Sequence, residues 1–146
     1  MKKFLKSFLI TALLTTVTTL VMAQDVIEGD WLNEEKEGKI EIYKHSDGKY
    51  YGKLVWLKDP NRDGKPKTDV NNKDAKLKNQ PLIGLNILKG FSKDGDIYSG
   101  GTIYDPKNGK TYSCKITAKD KNTLSIRGYI GVSLLGRTTV WTRTTK

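Results

Sequence analysis

At 146 residues, with 26 basic against 16 acidic side chains and a formal net charge of +10, the chain has the length of a small protein with one modest core. One cysteine and one histidine exclude an intramolecular disulfide and a four-ligand structural zinc site, so the fold must hold by packing.

The first 23 residues have the layout of a secretory signal. Lys2, Lys3 and Lys6 precede a mostly apolar stretch over residues 8–22, and Val21-Met22-Ala23 offers a peptidase cut between Ala23 and Gln24. Thr11, Thr15, Thr16, Thr18 and Thr19 dilute that stretch below what a spanning helix needs, which favours cleavage over anchoring and leaves no transmembrane span in the product. The expected organisation is a signal peptide over residues 1–23 and one domain over residues 24–146, exported to the periplasm or beyond. The signal carries three lysines and no acid, so its removal lowers the charge from +10 to +7. An exported basic chain meets anionic lipid and polysaccharide first, and nucleic acid is not an expected partner.

Beyond the signal, short runs alternate apolar and polar residues with period two, the pattern of an antiparallel sheet with one buried face. The first run surrounds Gly29-Asp30-Trp31-Leu32, and the second, residues 39–43, puts Ile40 and Ile42 on one face. His45-Ser46-Asp47-Gly48 reads as a hairpin turn. Residues 50–57 form the third strand, with Tyr50, Leu54 and Trp56 on one side and Tyr51, Val55 and Leu57 on the other. Residues 58–80 are the one long interruption, dense in Lys, Asp, Asn and Pro; a loop of that length in a small domain usually serves function or covers something. Within it, residues 72–78 suit one or two helical turns capped by Asn71 or Asn72. Residues 81–88 are read as a fourth, buried strand, followed by strands at 97–104, 110–117, 123–129 and 138–143. About eight strands in near-sequential hairpins predict an all-β, closed, up-and-down antiparallel barrel with one short helix in a long loop.

Several motifs weigh against chemistry. Asp59-Pro60-Asn61-Arg62-Asp63-Gly64 resembles the front half of a calcium loop, but the ninth position is Lys67 and the twelfth is Val70, where a bidentate glutamate is needed; a polar turn is the better account. His45 stands in a surface turn without nucleophilic partners. Cys114 alternates with Tyr112 and Ile116 and is expected to face inward as a small core residue. No catalytic set, metal site or cofactor motif emerges, and an enzyme is not expected. Gly52, Gly100 and Gly101 fall inside strands, where they either bend the barrel or leave interior surface open. Gly128, Gly131 and Gly136 bracket an apolar piece, residues 129–135, that reads equally as a lid, a plug or a connection filling core.

Gly29-Asp30-Trp31 near the start and Trp141-Thr142-Arg143 near the end resemble the pairing of lipocalins and fatty-acid-binding proteins. There a first-strand tryptophan lies under a last-strand arginine and closes one end of the barrel, a contact worth about 0.5–2 kcal/mol. By that resemblance Gly29, Trp31, Trp141 and Arg143 are structural. A wider one runs through Asp69-x-Asn71-Asn72, Pro81-Leu82-Ile83-Gly84-Leu85, Gly100-Gly101-x-Ile103-Tyr104-Asp105-Pro106-x-Asn108-Gly109-Lys110-x-Tyr112, and Arg127-Gly128-Tyr129-Ile130-Gly131 to Trp141-x-Arg143. In these ordered blocks the chain is similar to the exported bacterial domain-of-unknown-function family numbered 2147. The resemblance implies a lipocalin-like barrel behind a signal peptide, mostly in Gram-negative organisms, and no established reaction.

Two functions from different classes follow. In the favoured one, the barrel binds a small apolar or amphipathic molecule, with Tyr50, Trp56, Ile87, Tyr112 and Leu124 as candidate lining. In the other, a filled barrel presents a basic face of Lys53, Lys58, Arg62, Lys65 and Lys67 to anionic glycan or lipid of the envelope.

Overall fold

The computed structural model describes residues 23–145, with the side chain of Ser133 excepted; the export segment therefore lies outside the described residues but for Ala23. Among the described residues ten strands form: β1 (Gly29–Leu32), β2 (Gly38–Lys44), β3 (Tyr50–Leu57), β4 (Asn61–Arg62), β5 (Lys65–Pro66), β6 (Asn86–Asp94), β7 (Ile97–Asp105), β8 (Lys110–Asp120), β9 (Thr123–Tyr129) and β10 (Gly136–Arg143). Eight of them close into an antiparallel barrel in the order β1-β10-β9-β8-β7-β6-β3-β2, and β4 and β5 pair separately. Every neighbour follows in sequence except where β6 joins β3 across the long loop and β1 meets β10, so the closed up-and-down barrel expected of the alternation is the one formed. Closure leaves no free edge among these strands.

Two elements depart from the sequence reading. The strand expected over 81–88 begins only at Asn86 and continues to Asp94. Residues 81–85 instead belong to the loop, tied to β3 by backbone bonds from Gly84 N to Leu54 O and from Leu54 N to Leu85 O. Their apolar run is a loop edge packed on the barrel, which composition does not distinguish from a strand. The helix expected over 72–78 is a single 3-10 turn, Ala75–Leu77, capped by the Asp74 side chain rather than by Asn71 or Asn72. The calcium-like stretch forms the β4–β5 hairpin, whose turn residues Asp63 and Gly64 both have positive φ, as a tight two-residue turn requires.

Side chains fill one half of the interior. Trp31, Tyr50, Leu88, Phe91, Tyr98, Ile116 and Leu124 are all buried there, with the Tyr50 and Tyr98 rings edge to face at 5.1 Å. The segment before β1 folds across this end. Ile27 is fully buried, its carbonyl accepts from Trp31 Nε1 at 2.8 Å, and the Asp25 carboxylate accepts from the Tyr50 hydroxyl and the Lys93 ammonium. Gly52 and Gly101 serve this packing rather than leaving space. A Cβ at Gly101 would lie 2.6 Å from the Phe91 ring, and one at Gly52 would lie 2.8 Å from Leu88. Gly100, at φ +77°, carries the extra residue where β7 slips against β8 between Tyr98 and Gly101.

Candidate ligand cavity

The other half of the barrel is open. Its mouth is framed by the turn from β1 to β2, the loop from β3 to β6, the turn from β7 to β8 and the connection from β9 to β10. The mouth and the space beneath it form one open cavity of about 930 Å³, at the upper end of the roughly 300–1,000 Å³ of small-molecule sites. Inward positions of successive strands build its wall: Ile40 from β2, Leu54 and Leu57 from β3, Ile87 from β6, Ile103 from β7, Ile126 from β9 and Trp141 from β10. Ile40, Leu54, Ile87, Ile126 and Trp141 are also buried core residues, so one layer of side chains both seals the barrel and faces the cavity.

The rim is polar and carries both signs of charge, with Glu35, Glu37, Asp59 and Asp105 among Arg62, Lys67, Lys107 and Arg137. Glu37 and Lys107 meet at 2.7 Å. They stand on the β1–β2 and β7–β8 turns, which are opposite one another in the strand order, so the pair is a strut across the mouth. The hydrogen bond and the paired charge hold the Glu37 carboxyl below its ordinary range and the Lys107 ammonium above its own. To one side of the strut lies the loop from β3 to β6, and to the other the connection from β9 to β10.

The long loop is held down by a buried carboxylate. Asp69 is fully buried; its Oδ1 accepts from the Tyr104 hydroxyl at 2.7 Å, and its Oδ2 accepts from Asn72 Nδ2 at 2.8 Å and Gln80 Nε2 at 3.3 Å. Tyr104 comes from β7, so this cluster joins loop to barrel wall. Burial and the bond to Asp69 push the Tyr104 hydroxyl up to about 12. Asn71 adds bonds from its amide to the carbonyls of Pro106 and Lys107 at 3.0 and 3.1 Å.

Of the five side chains expected to line a site, the structure brings Ile87 and Tyr112 to the cavity. Tyr50 and Leu124 lie instead in the filled half, at 2% and 0% exposure. Trp56 faces outward, with the Lys39 ammonium 5.4 Å from its ring centroid. The reason is a bulge. Ile40 pairs with Leu54 but Lys39 pairs with Trp56, so Val55 is an extra residue and the alternation reverses beyond it. Leu57 thereby takes the inward place that unbroken alternation assigns to Trp56. Ile40 and Leu54 were placed on strand faces by the sequence and Ile103 and Ile126 were not singled out, because nothing local distinguishes a wall residue from a filling one.

The end pair has definite geometry. The Arg143 guanidinium lies 4.2 Å from the Trp31 ring centroid, the two residues are register partners, and Arg143 donates to the carbonyls of Val26, Glu28 and Lys121. Arg143 Nη1 passes 2.7 Å from where a Cβ on Gly29 would stand. Trp141, grouped with them by resemblance, faces the cavity one inward position earlier. The apolar piece at 129–135 is neither plug nor core filler, because Ile130, Leu134 and Leu135 are 67%, 88% and 77% exposed. Of the five basic residues expected on one face, Lys53 pairs with Glu41 at 3.1 Å on the barrel wall, while Arg62 and Lys67 line the cavity rim.

Cys114 is buried, and burial pushes its thiol up to about 12. The folded protein is therefore expected to resist a thiol-directed reagent at neutral pH and to react at one equivalent once unfolded. Fast labelling of the native form, followed by absorbance, would contradict this placement.

A family profile described as an uncharacterized protein conserved in bacteria (DUF2147) matches residues 29–143. No curated protein matches the sequence. A solved structure described as "Protein HP1028 from the human pathogen Helicobacter pylori belongs to the lipocalin family" is similar to this chain with a TM-score of 0.73 and 25% identity, over 82% of this chain and 83% of that one.

Proposed function

From a chain that belongs to the bacterial family DUF2147 and folds as a lipocalin-like barrel, we propose an exported envelope protein that takes up a small apolar or amphipathic molecule in the open half of its barrel. The half-filled interior carries this reading. A small domain has little core to spare, and an open cavity of about 930 Å³ that reaches from the charged rim down to Ile40, Leu54, Ile103, Ile126 and Trp141 forgoes dispersion contacts that larger side chains would supply. Apolar walls beneath a rim of both charges suit a molecule whose hydrocarbon part enters first and whose polar end stays at the mouth. The likeness to a structure described as a lipocalin supports the same use of the barrel. Residues 1–23 supply the route out of the cytoplasm.

Native mass spectrometry of the mature protein purified from its own envelope tests the proposal, since a co-purifying apolar molecule, released on denaturation, names the ligand class. Uptake of a fluorescent fatty-acid probe gives a second measure. Ile103→Trp, which fills the cavity from β7, is expected to weaken that uptake by about tenfold or more while the barrel still melts cooperatively. Unchanged uptake in a folded Ile103→Trp protein would place the probe elsewhere. Uptake into the cavity should also vary little with salt, unlike contact between a basic face and a polyanion.

A further inference from the structure

We infer that the connection from β9 to β10 is a membrane-docking tip that seats the cavity mouth on an anionic phospholipid bilayer; this rests on the cavity being a site for an acyl-bearing molecule. Among the described residues, four of the ten exposed large apolar side chains fall within six consecutive positions: Ile130 at 67%, Val132 at 58%, Leu134 at 88% and Leu135 at 77%. Scattered exposed apolar residues are ordinary, but a cluster at one hairpin tip of a lysine-rich surface marks an interaction site. The tip is held in that posture, with Leu135 N bonded to Val132 O at 3.1 Å in a 3-10 turn and Arg127 Nη2 donating to Leu134 O at 3.3 Å.

Two observations select a bilayer as the occupant. Ile130 and Leu135 are exposed and also line the cavity, so the tip shares apolar side chains with the mouth, on the side where an acyl chain leaving a membrane would enter. Basic side chains flank the tip, Arg127 on β9, bonded to Thr138 and Leu134, and Arg137 on β10, 77% exposed beside Glu35 at 3.5 Å, on a chain whose net charge is +7 once the three signal lysines are removed. Apolar side chains set into the headgroup boundary beside basic ones are the combination that holds interfacial segments on anionic lipid.

The test is sedimentation of the mature protein with vesicles of phosphatidylcholine alone or with an equal part of phosphatidylglycerol. Binding is expected to rise with phosphatidylglycerol. Val132→Asp combined with Leu134→Asp is expected to lower it by about tenfold or more. Neither residue lines the cavity, so uptake of the fatty-acid probe from solution should be unchanged in that variant. Vesicle binding that survives the double substitution, or that never occurs, overturns the inference. So does a wild-type dimer, seen by analytical ultracentrifugation, that the same variant dissociates, because the tip then belongs to a second copy. Vesicle binding through the tip without any probe uptake would uphold the docking surface and sink the cavity reading instead.

Discussion

Trp31→Ala is expected to lower unfolding stability by about 3–5 kcal/mol, the cost of deleting a fully buried tryptophan. The loss should fall toward the upper end of that range because the indole is the floor on which the end of the barrel is built. Its ring lies under the Arg143 guanidinium at 4.2 Å, and its Nε1 holds the Ile27 carbonyl, so removal frees both the last strand and the segment that crosses the end. Arg143→Ala removes the donors to the Val26, Glu28 and Lys121 carbonyls as well, and is expected to cost about 2–3 kcal/mol. Equilibrium denaturation checks both. The cavity lies in the other half, so probe uptake by either variant, measured where it is still folded, should match the parent. A variant that keeps its stability and loses uptake would reverse the assignment of this end as structural.

Asp69→Ala carries the second large effect, about 2–4 kcal/mol, because it leaves the Tyr104 hydroxyl and the Asn72 and Gln80 amides without their shared acceptor. The damage should be local. Residues 58–85 should lose protection from amide exchange and proteolysis while the strand ladder keeps its own. Undiminished protection there would show that Asn71 and the backbone bonds suffice to hold the loop. A pH signature accompanies the cluster. The Tyr104 hydroxyl titrates near 10 in the unfolded chain and near 12 in the folded one, so above pH 10 the unfolded state binds fewer protons. Stability is thus fully present below pH 10 and falls as pH rises toward 12; without the Asp69 acceptor that decline should be shallower.

Alternation of residue type recovered β9 at its observed bounds and the starts of β7 and β8, because side chains in an antiparallel barrel point alternately in and out, while β3 stood out as an apolar run on both faces bounded by turns. The end pair was legible through the resemblance to lipocalins and fatty-acid-binding proteins, and the structure places the Arg143 guanidinium over the Trp31 ring. Trp31 and Arg143 lie at opposite ends of the sequence, and closure of the sheet makes first and last strands neighbours. Cys114 followed from its phase with Ile116. Asp69 entered only within the family resemblance and its burial was not legible, since an aspartate in a polar loop has no local sign of burial and only the arrival of Tyr104 from β7 makes a buried carboxylate tenable.

Alternation and turn chemistry determined by themselves that this chain is a closed barrel, and the single cysteine and histidine that packing must hold it, while the sealing of one end by Trp31 and Arg143 came from the resemblance to lipocalins and fatty-acid-binding proteins. Tertiary structure alone decided which inward residues fill and which line. One extra residue at Val55 reverses the strand's phase and sends Trp56 to solvent, and large side chains such as Phe91 and Leu88 spread over glycines to crowd one half. The physical reason is that alternation records only the side of the sheet a residue faces. How far the opposite wall stands from it depends on bulges, glycines and the tilt of strands distant in sequence, and that distance separates a packed core from a cavity.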